Sequence, residues 1–265
     1  MAVNKFQKII KQKKEENQKK QNQSLTADKG YKSVRDMCKE LSLEERAEKI
    51  YKTMRNCYEI PKRFKDKSFN NYDDSRLNFD KNNPFKKVKE YVKTFKDRQK
   101  NGDWLILSGG YGLGKTHLAI AAGKEILKYY ALEYAKENRW HLSYNSISTK
   151  IIFINSSELI QEIRDSYDSD RINEREIMNK FQTVPLLILD DLGTEKASDW
   201  QHEKMYIILN HRYNNMKTTI ITTNLGTTEL EDQVSERVVE RMIEAAGNGK
   251  YLWKLKGESY RKKDI

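Results

Sequence analysis

The sequence has little cysteine, histidine or proline. In 265 residues there are two cysteines, Cys38 and Cys57, and four histidines. The cysteines stand 19 residues apart, outside any C-x-x-C, and no histidine falls at metal-ligand spacing from either. A closed zinc site needs four ligands, so this pattern argues against one. No apolar run is long enough to span a membrane, and the Lys- and Gln-rich start does not resemble a leader. The expectation is a cytoplasmic chain with reduced thiols and no membrane partner. There is no internal repeat.

What the chain has is charge, unevenly placed. Residues 1–100 hold 28 Lys and Arg against 15 Asp and Glu, a net of +13, whereas 101–265 hold 22 against 24. The basic excess therefore belongs to the N-terminal part. It fits an acidic partner, nucleic acid or an acidic protein surface, and equally a solvated lysine-rich tail. The length allows one sizeable domain with a smaller appendage.

Residues 1–30 carry only Phe6, Ile9 and Ile10 as an apolar cluster, too little to fold alone. Ser42-Leu43-Glu44-Glu45 is a capping-box pattern, and apolar residues from Leu43 to Tyr58 recur at helical spacing, predicting a helix over about 43–57 that stops before Pro61. Its apolar face suits packing within a small helical domain or docking on a partner. The expected division is a basic helical partner-binding segment over 1–59, a linker and basic helix over 60–100, and a catalytic domain over 101–265. In the middle part, Pro61 to Asn83 reads as an irregular linker with a few aromatic anchors, and Pro84 opens a helix to about Asp97.

Gly109-Gly110-Tyr111-Gly112-Leu113-Gly114-Lys115-Thr116 fits G-x-x-x-x-G-K-[ST], between an apolar strand run (Trp104 to Leu107) and an apolar-periodic helix (His117 to Glu137). Glycines let the backbone curl with its N–H groups inward, so a polyphosphate can sit on them and on the helix N-terminus. Lys115 would neutralise β and γ phosphates, and Thr116 would be a ligand of Mg²⁺. Leu186 to Leu189 runs into Asp190-Asp191, a Walker B pattern: Asp190 to hold Mg²⁺ through water, Asp191 to orient or deprotonate the attacking water. Thr218 to Thr223 is a strand run ending at Asn224, a sensor able to bond the γ-phosphate or that water. Ser235 to Ala246 reads as a helix that places Arg237 and Arg241 four residues apart on one face. They could pair with Glu236 or Glu240, or reach a neighbouring subunit's phosphate as an arginine finger. Further strand runs at Ile151 to Ile154 and Tyr251 to Leu255, and helices over about 158–167, 172–181 and 200–215, complete an alternating pattern. Ser156 or Ser157 is the expected cap of the first of these. The fold class is α/β: a parallel five-stranded sheet flanked by helices.

With these residues in place, the chain resembles the DnaC/DnaI-type replicative helicase loaders, a clade of AAA+ P-loop ATPases that also includes the IstB-like transposition ATPases. The resemblance covers about 60–265 and is carried by Gly109 to Thr116, Leu189 to Lys196, Ile221 to Asn224, Glu236 to Met242, and Gly257-Glu258-Ser259-Tyr260-Arg261. It implies ATP and Mg²⁺ as cofactors, with His117 included among the nucleotide-binding residues, and Arg241 as the finger with Arg237 accessory. It also implies that Ser68 to Tyr72, with Phe69, lies beside the adenine. As partners it implies a DnaB-type replicative helicase, single-stranded DNA, and further copies of the chain in an ATP-dependent spiral or ring. DNA contacts are expected from the region between Glu158 and Phe181, which carries Arg164, Arg171, Arg175 and Lys180. The two cysteines do not support the zinc domain of the DnaI branch. The 41 residues after Asn224 predict a reduced or absent lid, and Asp191, where many relatives have glutamate, predicts slow hydrolysis. An IstB-like regulator acting on duplex DNA is the competing reading, and a small-molecule P-loop kinase a third.

Overall fold

The computed structural model describes residues 41–78, 83–137, 150–167, 173–193 and 198–261. The expectations placed on residues 1–40 and on Arg171 lie outside them, as do those on Thr194, Glu195 and Lys196. All described residues after Leu41 belong to one compact unit, 42–265.

Five strands build the centre: β1 (Leu105–Gly109), β2 (Ile151–Asn155), β3 (Leu186–Asp190), β4 (Thr218–Thr223) and β5 (Leu252–Leu255). They pair in parallel in the order β2-β3-β4-β1-β5, with Ile188 opposite Ile220 and Leu105 also opposite Ile220 on its other side. β1, β3 and β4 are buried along their whole length, so none shows apolar and polar alternation: β1 and β3 are mainly apolar, and β4 sets two isoleucines between pairs of buried threonines. The strand order reverses around β1 and β4. In an open parallel sheet the crevice at the C-terminal strand ends there is where ligands sit.

Helix α1 (Leu43–Cys57) begins with the expected capping box, Ser42 and Glu45 exchanging side-chain to backbone bonds. Its Ile50 and Met54, with Tyr58 just beyond, are buried in the common core, and the helix packs along the long helix that follows the P-loop. The apolar face of α1 is therefore occupied within the chain. The basic stretch after Pro84 is two helices, α2 (Pro84–Lys93) and α3 (Phe95–Asn101), rather than one. The Thr94 hydroxyl donates to the carbonyls of Glu90 and Tyr91 and accepts from Arg98 Nε, which competes with the regular ladder.

Helix α4 (Lys115–Lys136) carries buried residues all round because it lies between the sheet and α1. Then come α5 (Ser156–Asp165) and α6 (Glu174–Thr183), α7 (Asp199–Asn214), α8 (Thr227–Val234) and α9 (Glu236–Ala245). The cap of α5 is Asn155, the last residue of β2, whose Oδ1 accepts from Ser157 N–H; neither serine fills that place. Helix α8 has no counterpart in the sequence reading: eight residues with two buried, Leu230 and Val234, show too little periodicity to announce it. Arg212 of α7 is fully buried and ties the layers together, bonding the carbonyls of Phe181, Val184 and Thr218 and the Thr219 hydroxyl at 2.6 to 3.0 Å.

Candidate nucleotide site

The loop between β1 and α4 carries the Gly109 to Thr116 motif, and three of its glycines are demanded by what packs on them, Gly109 because a Cβ there would run into the Leu255 carbonyl oxygen. Gly114, which starts α4, has φ +85°, and a Cβ there would lie 2.8 Å from the Tyr72 ring. Gly112, at φ +75°, would drive a Cβ into Ser259 Oγ. Both positions lie in the left-handed region that disfavours other residues. Leu113 is buried and anchors the loop, while Tyr111 is 66% exposed. Gly110 is under no such demand, since a Cβ there would meet only the Leu113 side chain, at 3.8 Å.

Lys115 Nζ donates to the carbonyls of Gly109 (2.8 Å) and Gly110 (2.7 Å) and to Asn224 Oδ1 (2.7 Å). Burial, partly countered by Asp191 and Asp190, pulls its pKa down to about 8, and the charge of Arg261 adds to the fall. Asn224 uses both ends of its amide: Oδ1 accepts from Lys115, and Nδ2 donates to Asp191 Oδ1 at 2.5 Å. The charges on either side fix which way the amide points.

The two carboxylates have different surroundings. Asp190 is buried at the end of β3, accepting from Thr222 Oγ1 (2.6 Å) and Thr116 Oγ1 (3.2 Å). Burial raises its pKa, and those two hydroxyls oppose the rise. Asp191 has left the strand with φ 60°; its N–H donates to Thr222 Oγ1 (2.9 Å) and its carbonyl accepts from Ser156 Oγ (2.9 Å). One threonine hydroxyl thus orders both acids. The sequence offers Ser156 only as a helix cap and Thr222 only as part of a strand end; the available signal for the role of Thr222 was a pair of threonines closing a buried strand, where a hydroxyl needs a partner.

On the other flank, one turn of 3₁₀ helix, Phe69–Asn71, sits against the start of α4. His117 Nε2 lies 2.8 Å from the Ser68 carbonyl and 3.1 Å from Asn71 Oδ1, so that nitrogen carries the proton. Burial lowers the His117 pKa, keeping the ring neutral. Lys124, two turns on, caps the carbonyls of Lys65 (2.5 Å) and Lys67 (2.6 Å). The His117 side chain thus serves this segment. Phe69 stands edge-on to Phe85 at 5.8 Å, Phe85 stacks on Tyr72 at 5.2 Å, and Tyr72 donates to the Leu113 carbonyl at 3.3 Å.

Arg237 is exposed on α9. Arg241 donates to Tyr206 Oη (3.2 Å) and lies over the rings of Tyr206 and Tyr213 at 5.5 and 5.8 Å. Among the described residues neither arginine is in an ion pair, with Glu236 and Glu240 or otherwise. Among the same residues there is no group of three His, Cys, Asp or Glu placed to hold a metal ion, and no helix long and apolar enough to cross a membrane.

The model of the bacterial DnaA ATPase domain matches residues 80–246, and that of the IstB-like ATP binding protein matches 9–137. The replicative helicase loader DnaI of Bacillus subtilis is 26% identical over 165 residues, 61% of this chain and 46% of that protein. The replicative helicase loader DnaC of Escherichia coli K12 is 26% identical over 180 residues, 68% of this chain and 63% of that one. The matched stretch therefore spans less than two thirds of either relative. A crystal structure of the DnaC helicase loader superposes with a TM-score of 0.54 at 27% identity, covering 75% of this chain and all of that one. With a P-loop, a paired-acid strand end and a parallel sheet in this order, the chain belongs to the bacterial DnaA ATPase domain family, as an AAA+ protein similar to the DnaC/DnaI-type loaders.

Proposed function

We propose that the chain is an ATP-dependent loader of a replicative helicase, with hydrolysis acting as a release switch. The observation that carries the ATPase part is the continuous chain of bonds from Lys115 through Asn224 to Asp191, beside the Thr116 to Asp190 contact. In this reading the loop amides and Lys115 hold the ATP phosphates. The Thr116 hydroxyl and the Asp190 carboxylate are hard oxygen donors, the set that Mg²⁺ takes when most of its ligands are water and phosphate. Bound there, Mg²⁺ would neutralise charge on the phosphoryl oxygens. Asp191, turned out of the strand and held through Asn224 and Thr222, orients the attacking water. Aspartate is one methylene shorter than glutamate, which supports slow hydrolysis.

Arg241, held by tyrosines rather than by carboxylates, keeps its guanidinium charge available to a neighbouring copy, with Arg237 accessory. Hydrolysis then depends on self-association in a spiral or ring. Mixing Arg241→Ala chains with Asp191→Asn chains tests this: turnover should recover toward one active interface per mixed pair, and no recovery at any ratio counts against action between subunits.

The helicase partner, single-stranded DNA and a cytoplasmic setting are inferred from the likeness to DnaC and DnaI loaders. The partner-binding role belongs to residues before Ser42, since the apolar face of α1 is buried on α4. A pull-down with the source organism's replicative helicase should retain the full chain and lose one that starts at Ser42. Retention of neither would sink the loader reading. The match to the IstB-like model supports one alternative, an ATPase assembling on duplex DNA, which ATP-dependent filament formation on duplex would favour.

A further inference from the structure

Two faces of the described unit carry opposite charge. Residues 84–101 hold seven Lys and Arg against two acids, and residues 227–245 hold six acids against two arginines. The basic face is ordered. Lys86, Lys89 and Lys93 of α2 and Lys96 and Lys100 of α3 recur every three or four residues, as do the buried Val88, Tyr91 and Phe95. The two sets therefore lie on opposite sides of these helices, and all five lysines are exposed. Among the described residues none of the five is in an ion pair; Lys89 lies over the Phe85 ring at 5.2 Å.

The acidic face is ordered too. Asp232 of α8 and Glu236 and Glu240 of α9 follow one another at four-residue steps and are exposed, while Val238, Val239 and Met242 bury the other side of α9. Among the described residues these three acids also have no ion pair. Each face repels itself until opposite charge covers it. A phosphate backbone would match the lysines and leave the acids unanswered, whereas a second copy of the chain answers both. Because the faces are different surfaces of one chain, such a contact runs head to tail and builds a ring or an open spiral. Their places agree with that. Phe85 at the start of α2 stacks on Tyr72, which donates to the Leu113 carbonyl of the phosphate loop, and α9 carries Arg241.

We propose that the lysine line of α2 and α3 is the docking face for a second copy of this chain, which seats Asp232, Glu236 and Glu240 on it. The proposal deepens the self-association reading and rests on it. The test is sedimentation velocity of the full chain with a non-hydrolysable ATP analogue, for wild type, for Lys89→Glu with Lys93→Glu and Lys96→Glu, and for Asp232→Lys with Glu236→Lys and Glu240→Lys. Each variant alone sets like charges together and should associate about tenfold or more weakly. In an equal mixture every contact is again between opposite charges, so assembly should return toward the wild-type level. Wild-type assembly should also weaken as salt is raised. Association of either variant within threefold of wild type overturns the proposal, as does loss in both without recovery on mixing, or wild-type assembly indifferent to salt. Unchanged assembly with lost DNA binding in the lysine variant overturns it as well and assigns that face to nucleic acid. Failure of the wild type to assemble with the analogue would instead remove the self-association reading, and the docking face with it.

Discussion

The site has two halves built by different means. Gly109, Asp190 and Asn224 stand at or just past the ends of three neighbouring strands, where parallel register puts them side by side. The flank made by 62–78 and 256–261 has no sheet or long helix of its own. It is held by single hooks: His117 to Ser68, Lys124 to Lys65 and Lys67, Tyr72 to Leu113 and Tyr260 to Gly112. A strand end is fixed by a whole ladder of bonds, so one side chain can change without moving its neighbours. A strap held by hooks moves when one is lost.

The sharpest separation of the halves is Asp190→Asn. Turnover should fall by about 10² or more as the cation ligand is lost. The melting temperature should rise, because burial holds the carboxyl pKa above its ordinary range. A raised carboxyl pKa favours the fold at low pH and penalises it once pH climbs past that value, so removing the charge relieves a cost at neutral pH. Activity assay and calorimetry on one preparation check both signs.

Arg212→Met attacks the frame beneath the strand half. It leaves several buried carbonyls unpaired and should lower stability by about 3 to 5 kcal/mol in urea unfolding, with nucleotide affinity kept below the transition. Gly112→Ala attacks the strap half instead. The left-handed backbone costs about 1 to 2 kcal/mol for a non-glycine residue, and the added methyl displaces Ser259. Nucleotide affinity should fall by about tenfold with the sheet intact by circular dichroism.

Smaller still near neutrality is the pH response of Lys115. Its folded pKa of about 8 lies below the usual lysine value, so the fold carries a penalty below pH 8 that lifts as pH rises toward the ordinary value. Phosphate binding needs the charged form, so affinity should weaken above pH 8, by up to about tenfold per unit. Calorimetry in buffers of different ionisation enthalpy should register proton uptake on binding. Tyr58→Phe should be the mildest change. The hydroxyl is buried with no partner among the described residues, against Gly123 of α4, and its loss should leave stability within about 1 kcal/mol or raise it.

The strand half was legible because its residue types sit next to each other in the chain. A glycine loop before a lysine, two acids after four apolar residues and an amide after a threonine run each announce themselves. Their connections were less so: nothing in the order of residues says that Asn224 would join Lys115 to Asp191, or that Thr222 would serve both acids. The strap half was scarcely legible, since Arg76 and Tyr260 meet across 184 positions and no local pattern encodes such a meeting. Gly257 to Arg261 stood out as a motif without a place. The break at Thr94 and the Asn155 cap were missed for a related reason, because both depend on where one side-chain oxygen turns.

The sequence by itself determined the alternating sheet, the phosphate loop and the acids at the strand end. Apolar runs and glycine positions act over a few residues, and the hydrophobic effect and backbone sterics read them directly. The tertiary structure alone decided that α1 packs on α4 and that two irregular segments close on Gly112 and Gly114. It also decided that Arg261 comes to the loop that holds Lys115. Those outcomes depend on contacts between distant parts of the chain, which form only once the sheet has brought the strand ends and the straps to one side.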